Sequence, residues 1–270
     1  MKLMFKRLFL LVCLLVLNTD VFAQTDQVVP PLRKLNQQAF KVGETIKYRI
    51  HYGVINAGIA ELKVGGIEEK NGRATYHVVG TGRSIGMAEV FFKTRDRYES
   101  WIDTEAMVPW EFIRDVNEGG FIIKRHIFFD QFKQTAIDYL LDKEKVFSIP
   151  KYAQDMLSTF YYARSLDVSN IKVGQTFPIT MFLDHTNFDF KLKYLGKEVL
   201  KTKFGKIECL KFMPVVQKGR VFKEEEGMTL WVSNDSNKLP IRLQTELAVG
   251  SIKMDLIEYQ NVKVPLTFKK

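Results

Sequence analysis

Cysteine is nearly missing from this 270-residue chain, which has only Cys13 and Cys209. Cys13 lies inside an N-terminal apolar run, so a processed chain keeps Cys209 alone and can form no internal disulfide. Cys209 sits in the strand-like stretch GKIECLKF and reads as a buried, inert thiol, with no histidine near it in sequence. Histidine is also scarce. His51, His77, His126 and His185 have neither zinc-ligand spacing nor an H-E-x-x-H arrangement. Asp184, His185 and Asp189 cluster near one turn and read as solvated turn residues. There is no phosphate loop and no dinucleotide fingerprint, so no metal and no cofactor are expected. Dense Lys/Arg blocks are lacking too, so the net charge of +9 points to a basic surface and not to a nucleic-acid partner.

Long apolar runs are confined to the N-terminus. Lys2, Lys6 and Arg7 precede LFLLVCLLVL (Leu8 to Leu17), and Val21-Phe22-Ala23 follows. A basic start, an apolar run too short to span a bilayer and a small residue at the cut describe a secretory signal peptide over residues 1–23, with cleavage after Ala23. Cys13 lies within the run and after Val12, which argues against it as a lipid-attachment cysteine. No transmembrane segment is expected beyond the signal. That segment carries a net +2, so the exported chain keeps +7 of the +9. Such a charge suits anionic envelope polymers or lipid headgroups.

Helical periodicity is missing almost everywhere; strand alternation takes its place. NFDFKLKY puts Phe188, Phe190, Leu192 and Tyr194 on one face, with Asn187, Asp189, Lys191 and Lys193 on the other. TIKYRIHY does the same with Ile46, Tyr48, Ile50 and Tyr52. Turn signals recur at Asn71-Gly72, Gly65-Gly66, Gly119-Gly120 and Ser233–Lys238. The pattern predicts an all-β, mostly antiparallel fold. FIIKRHIFF (Phe121 to Phe129) and ITMFL (Ile179 to Leu183) are apolar on both faces, which predicts cover on both sides.

The chain also repeats itself. KVGETI at Lys41 matches KVGQTF at Lys172, and Trp101, Pro109 and Gly119 match Trp231, Pro240 and Gly250. Four anchors in one register over some eighty residues predict two tandem β-meanders. We place a 24–39 N-terminal extension, a first meander at 40–130 and a connecting segment at 131–170. A second meander at 171–261 and a 262–270 tail complete the chain. The meanders are expected to form a curved sheet or barrel-like structure. An outer-membrane barrel also fits strand alternation, but the short helix and the non-aromatic Lys269-Lys270 end argue against it.

Two motifs invite chemistry. Gly82-Arg83-Ser84-Ile85-Gly86 fits the G-x-S-x-G nucleophile pattern, and Asp184 and His185 follow in hydrolase order. That pattern belongs to a fold of alternating strands and helices, which this chain lacks, so Ser84 reads as part of a strand connection and the chain as non-enzymatic. A serine esterase is the weakest reading. The second motif is DMLSTFYYAR, with Asp155, Ser158, Tyr161 and Arg164 every third residue on a helix at about 155–164. Each step of three drifts about 60° backwards, and Asp155 and Arg164 stand about 13.5 Å apart along the axis. They therefore cannot form one compact catalytic set. Asp155 is expected to cap the helix, Met156, Phe160 and Ala163 to face a sheet, and Arg164 to reach a distant carboxylate. Ser158, Tyr161 and Arg164 are the candidate ligand- or partner-binding residues.

At these residues the chain resembles a known family. FKVGETIKYRIHYGVINAGIAELKV (Phe40 to Val64), the D-x-x-S-x-x-Y-x-x-R row, KTKFGKIECLKFMP and LWVSNDSNKLPIRL are similar to motifs of domain of unknown function 3108. The resemblance spans nearly the whole chain beyond the signal. It implies an exported, mostly antiparallel β-protein of Gram-negative bacteria and supplies no reaction, cofactor or catalytic residue. The expected function is a periplasmic, non-catalytic binding or carrier protein for a lipid or other amphiphile; the alternative is an assembly partner of another envelope protein.

Overall fold

The alternating positions read from the sequence become the two faces of one sheet. The computed structural model describes residues 31–141, 145–216 and 227–269; the expected signal peptide, 1–23, lies outside them. In chain order the elements are β1 (Thr45–Tyr52), β2 (Ile55–Lys70), β3 (Arg73–Ser84), α1 (Gly86–Phe91), β4 (Thr94–Asp103), β5 (Pro109–Glu118) and β6 (Phe121–Asp130). Then come β7 (Thr135–Asp138), β8 (Val146–Ser148) and α2 (Met156–Ser165). A second run of strands follows: β9 (Thr176–Leu183), β10 (Thr186–Thr202), β11 (Gly205–Val216), β12 (Met228–Ser233), β13 (Pro240–Glu246) and β14 (Ser251–Gln260). On β1, Ile46 and Tyr48 are buried, while Lys47 between them meets Glu61 and Glu258 of the neighbouring strands.

All these strands form a 14-stranded sheet in the order β8-β7-β6-β5-β4-β3-β2-β1-β14-β13-β12-β11-β10-β9. Each neighbouring pair is antiparallel. Because β1 pairs with β14, the runs β1–β6 and β9–β14 join head to tail in one curved sheet. Matching contacts recur in the two runs. Trp101 on β4 donates its indole N–H to Glu68 (2.7 Å), and Trp231 on β12 donates to Glu198 (3.1 Å). Lys70 and Lys211 lie over these two indoles at 4.2 and 5.2 Å.

Among the described residues the sheet does not close by pairing of its edge strands β8 and β9. At the seam, Gln154 bonds to β9 through Gln154 N–H to Thr180 O (2.9 Å) and Phe182 N–H to Gln154 O (2.7 Å). Phe147 of β8 stacks on His185 at 4.6 Å, and His185 in turn bonds Asp138 of β7 at 2.8 Å. These side chains bring the two edges together without a continuous ladder.

The concave side holds α2, which contributes to four apolar clusters: Leu157 and Tyr161 to one, Phe160 to a second, Met156 to a third, Ala163 to a fourth. The chain from Leu32 to Phe40 packs on it. Phe40 meets Tyr161 edge-on at 4.7 Å, and the Arg33 guanidinium lies over Tyr152 and Tyr162 at 4.3 and 4.4 Å. The expectation that Phe121 to Phe129 is covered on both faces fails. Ile127 and Phe129 are buried, but Phe121 and Ile122 are exposed, because the first residues of β6 lie at the β5–β6 turn, away from the core. Among the described residues no helix is long and apolar enough to cross a membrane.

Gly80 on β3 lies directly under α2: a Cβ there would stand 3.0 Å from Leu62 Cδ2 and 3.1 Å from Leu157 Cδ2. Gly80→Val should therefore lift the helix and cost about 1–3 kcal/mol, read as a lower urea midpoint at unchanged m. A neutral result would show that the helix is loosely seated.

Candidate functional site

The site is built around α2, and its first residue outside the helix fixes it. Asp155 accepts from Ser158 N–H (2.7 Å) while Ser158 Oγ accepts from Asp155 N–H (2.8 Å), a reciprocal capping box. Ser100 Oγ on β4 donates to the same carboxylate at 2.6 Å, tying the helix start to the first run of strands. Asp155 is fully enclosed, and burial pushes its carboxyl up to about 6, against the opposing pull of the Ser100 and Ser158 hydrogen bonds.

The other end is held by an ion pair. Arg164 makes a two-pronged contact with Glu44, at 2.6 and 2.9 Å, and donates to Ala39 O (2.9 Å) and Asn237 O (3.1 Å). The side chains of Arg164 and Glu44 are 2% and 0% exposed, so both charges are out of water. Burial opposes the charge on Arg164, but the Glu44 hydrogen bonds and charge prevail and hold the guanidinium above its ordinary pKa. Tyr161, also at 0% exposure, packs between these ends, and its hydroxyl has no hydrogen-bond partner among the described residues. Burial raises its pKa.

Of the expected binding residues, Ser158 and Tyr161 are thus closed off from solvent, and Arg164 spends its donors on the protein itself. The expected distant carboxylate of Arg164 is Glu44. The expected apolar stripe meets the sheet: Met156, Phe160 and Ala163 each pack against a buried cluster, yet they are only partly buried and line a cavity of about 220 Å³. Leu192, Phe212 and Met254 of the second run face them across it. The buried residues of α2 are Leu157, Ser158, Tyr161 and Arg164, so its polar row lies deepest and its amphipathicity does not sort inside from outside. Three polar side chains border this apolar space: Arg164, already bonded to Glu44; Thr159, whose buried Oγ1 has no partner among the described residues; and the half-buried Lys238, its pKa lowered by burial. No local motif announces this cavity, because its walls come from five strands and one helix face.

The hydrolase-like pattern dissolves. Ser84 is buried at the end of β3, and its Oγ accepts from Thr94 N–H at 2.9 Å. Asp184 pairs with Arg114 at 3.0 Å, and His185 is taken by Asp138 and Phe147. Cys209 is buried in the core, and burial pushes its thiol up to about 12. Among the described residues no group of three or more His, Cys, Asp or Glu is placed to hold a metal ion.

A family model, protein of unknown function DUF3108, matches residues 47–257. The chain belongs to the DUF3108 family. No curated protein matches this DUF3108 chain. Among solved structures it is similar to a β-barrel-like protein of domain of unknown function DUF1849 from Brucella abortus. That match has a TM-score of 0.53 at 10% identity, covering 86% of this chain and 99% of the other. A second structure, provisionally described as a lipoprotein from Parabacteroides distasonis, aligns with a TM-score of 0.35 at 12% identity, covering 86% of this chain and 100% of that one. The first likeness shows the barrel-like fold of the DUF3108 chain and nothing of its activity.

Removing one member of the buried pair leaves the other charge unpaired. Arg164→Met should cost about 3–5 kcal/mol in urea unfolding, and adding Glu44→Leu should restore much of it. An additive double variant would mean that the two residues do not act as a pair. Asp155 gives a pH test. Its folded pKa lies above the unfolded value of 3.8, so its stabilising contribution is full below that pH and is lost as pH rises through about 6. Asp155→Asn keeps a capping oxygen but cannot ionise. Relative to the parent it should gain stability between pH 4 and pH 6, on the order of 2 kcal/mol. A difference that is flat with pH would contradict the assignment.

Proposed function

We propose that this chain is an exported, periplasmic binding or carrier protein whose cavity beside α2 holds one apolar or amphiphilic chain. The observation that carries the reading is the cavity itself. Its walls are almost wholly apolar, with Phe160, Leu192, Phe212 and Met254 left partly unpacked around 220 Å³ of space. Apolar cavities of about 150 Å³ already admit a benzene-sized guest. A volume of 220 Å³ suits a single short chain, or the end of a longer one, and not a two-chain lipid in full. Thr159 and Lys238 offer a hydroxyl and a cation to a polar or anionic end. Export rests on the Lys2/Lys6/Arg7 start, the Leu8–Leu17 run and Ala23.

Protein purified from its host envelope and extracted with organic solvent should yield one amphiphile per chain by mass spectrometry. Ala163→Phe, which places a ring in the cavity, should lower that yield at least tenfold while keeping or raising the melting temperature. An extract without any stoichiometric guest from the parent protein would overturn the reading.

A further inference from the structure

Antiparallel order places alternate connections at the same end of the sheet. The turns β1–β2, β5–β6 and β13–β14 and the α1-containing connection β3–β4 lie side by side at one rim. That rim is apolar and exposed. Val54 is 97% exposed, Phe91 80%, Val90 and Val249 78%, and Met87 and Phe121 65%. The connections touch: the Phe92 ring lies within 2.7 Å of where a Cβ on Gly119 would stand, and Tyr52 Oη donates to Val249 O at 2.7 Å. At the opposite rim exposed apolar residues stand singly, as Val42, Val173 and Phe268 do. A contiguous exposed apolar patch of this kind marks an interaction site.

The charges beside the patch decide what it meets. Arg83, Lys93 and Arg95 gather around Glu89, which Arg95 bonds, three cations to one carboxylate at α1, while Asp96 and Glu118 lie together on the neighbouring β4 and β5. Lys253 adds another cation just behind Ile252, and among the described residues Arg83, Lys93 and Lys253 are in no ion pair. Apolar tips with cations set behind them match a bilayer surface, with tips among acyl chains and cations at anionic headgroups. Further down, the outer wall carries ion pairs, such as Lys47 with Glu61 and Glu258, and Arg242 with Asp255. That wall does not suit lipid, so contact stops at the rim.

We infer that this rim docks the protein on an anionic phospholipid bilayer. The inference does not depend on a guest in the cavity. The test is flotation of the chain, purified after export by its host, with vesicles of phosphatidylglycerol and phosphatidylethanolamine or with neutral phosphatidylcholine vesicles. The parent should float with the anionic vesicles and weaken as salt rises. Val90→Ser with Phe91→Ser, both at exposed positions, should keep the melting temperature and lower vesicle affinity by about tenfold or more. Arg83→Glu with Lys93→Glu should remove the preference for anionic vesicles and most of the salt dependence. Unchanged flotation of the Val90/Phe91 variant would overturn the proposal. So would a parent that binds neither vesicle while a photo-crosslinker at position 91 captures one defined envelope protein, which would assign the rim to that protein.

Discussion

The buried pair of Arg164 and Glu44 is the contact on which the rest of the structure turns. Taking both charges out of water costs several kcal/mol each, and only near-complete hydrogen bonding offsets that. Arg164 achieves it with two bonds to Glu44 and one each to Ala39 and Asn237. Those partners come from the segment entering β1 and from the turn between β12 and β13. One side chain therefore joins the helix, the start of the first run of strands and a turn of the second. At the other end of α2, Ser100 and the capping box do the same for β4. The helix is clamped at both ends by polar contacts that have no equally good alternative position.

A helix held at its ends need not be packed along its whole length. Leu157 and Tyr161 are buried in the first half of the fold, whereas Met156, Phe160 and Ala163 pack on their clusters only in part and also border the cavity. Packing along that face is therefore incomplete. The rim lies at the turns of the same sheet, where apolar residues contribute nothing to the core. Cavity and rim are both places where apolar surface is kept from packing against protein.

Local pattern revealed the strands, because a half-buried strand must alternate; Ile46 and Tyr48 inside with Lys47 between them is the simplest case. The long-range register was legible too. Trp101 and Trp231 recur with their lysine and glutamate neighbours because each indole needs an acceptor at the same place in the pleat. That Arg164 needs a carboxylate was legible, but the choice of Glu44 was not, since 120 residues separate them. The apolar stripe of α2 does meet the sheet, but its depth of burial was not legible: amphipathicity ranks faces by polarity, and here the polar row is the more deeply buried because its polar groups are largely satisfied internally. The cavity and the rim had no signal in any short window. Both arise from residues that only the sheet order brings together.

Clamped at both ends, α2 is integral to the sheet and not an insert laid across it. Native-state hydrogen exchange tests this most directly. The amides of Phe160 to Arg164 should open only with global unfolding, at the same free energy and with the same denaturant dependence as those of Ile46 and Tyr48 on β1. Exchange of those helix amides through a smaller, denaturant-independent opening, while β1 stays protected, would contradict it.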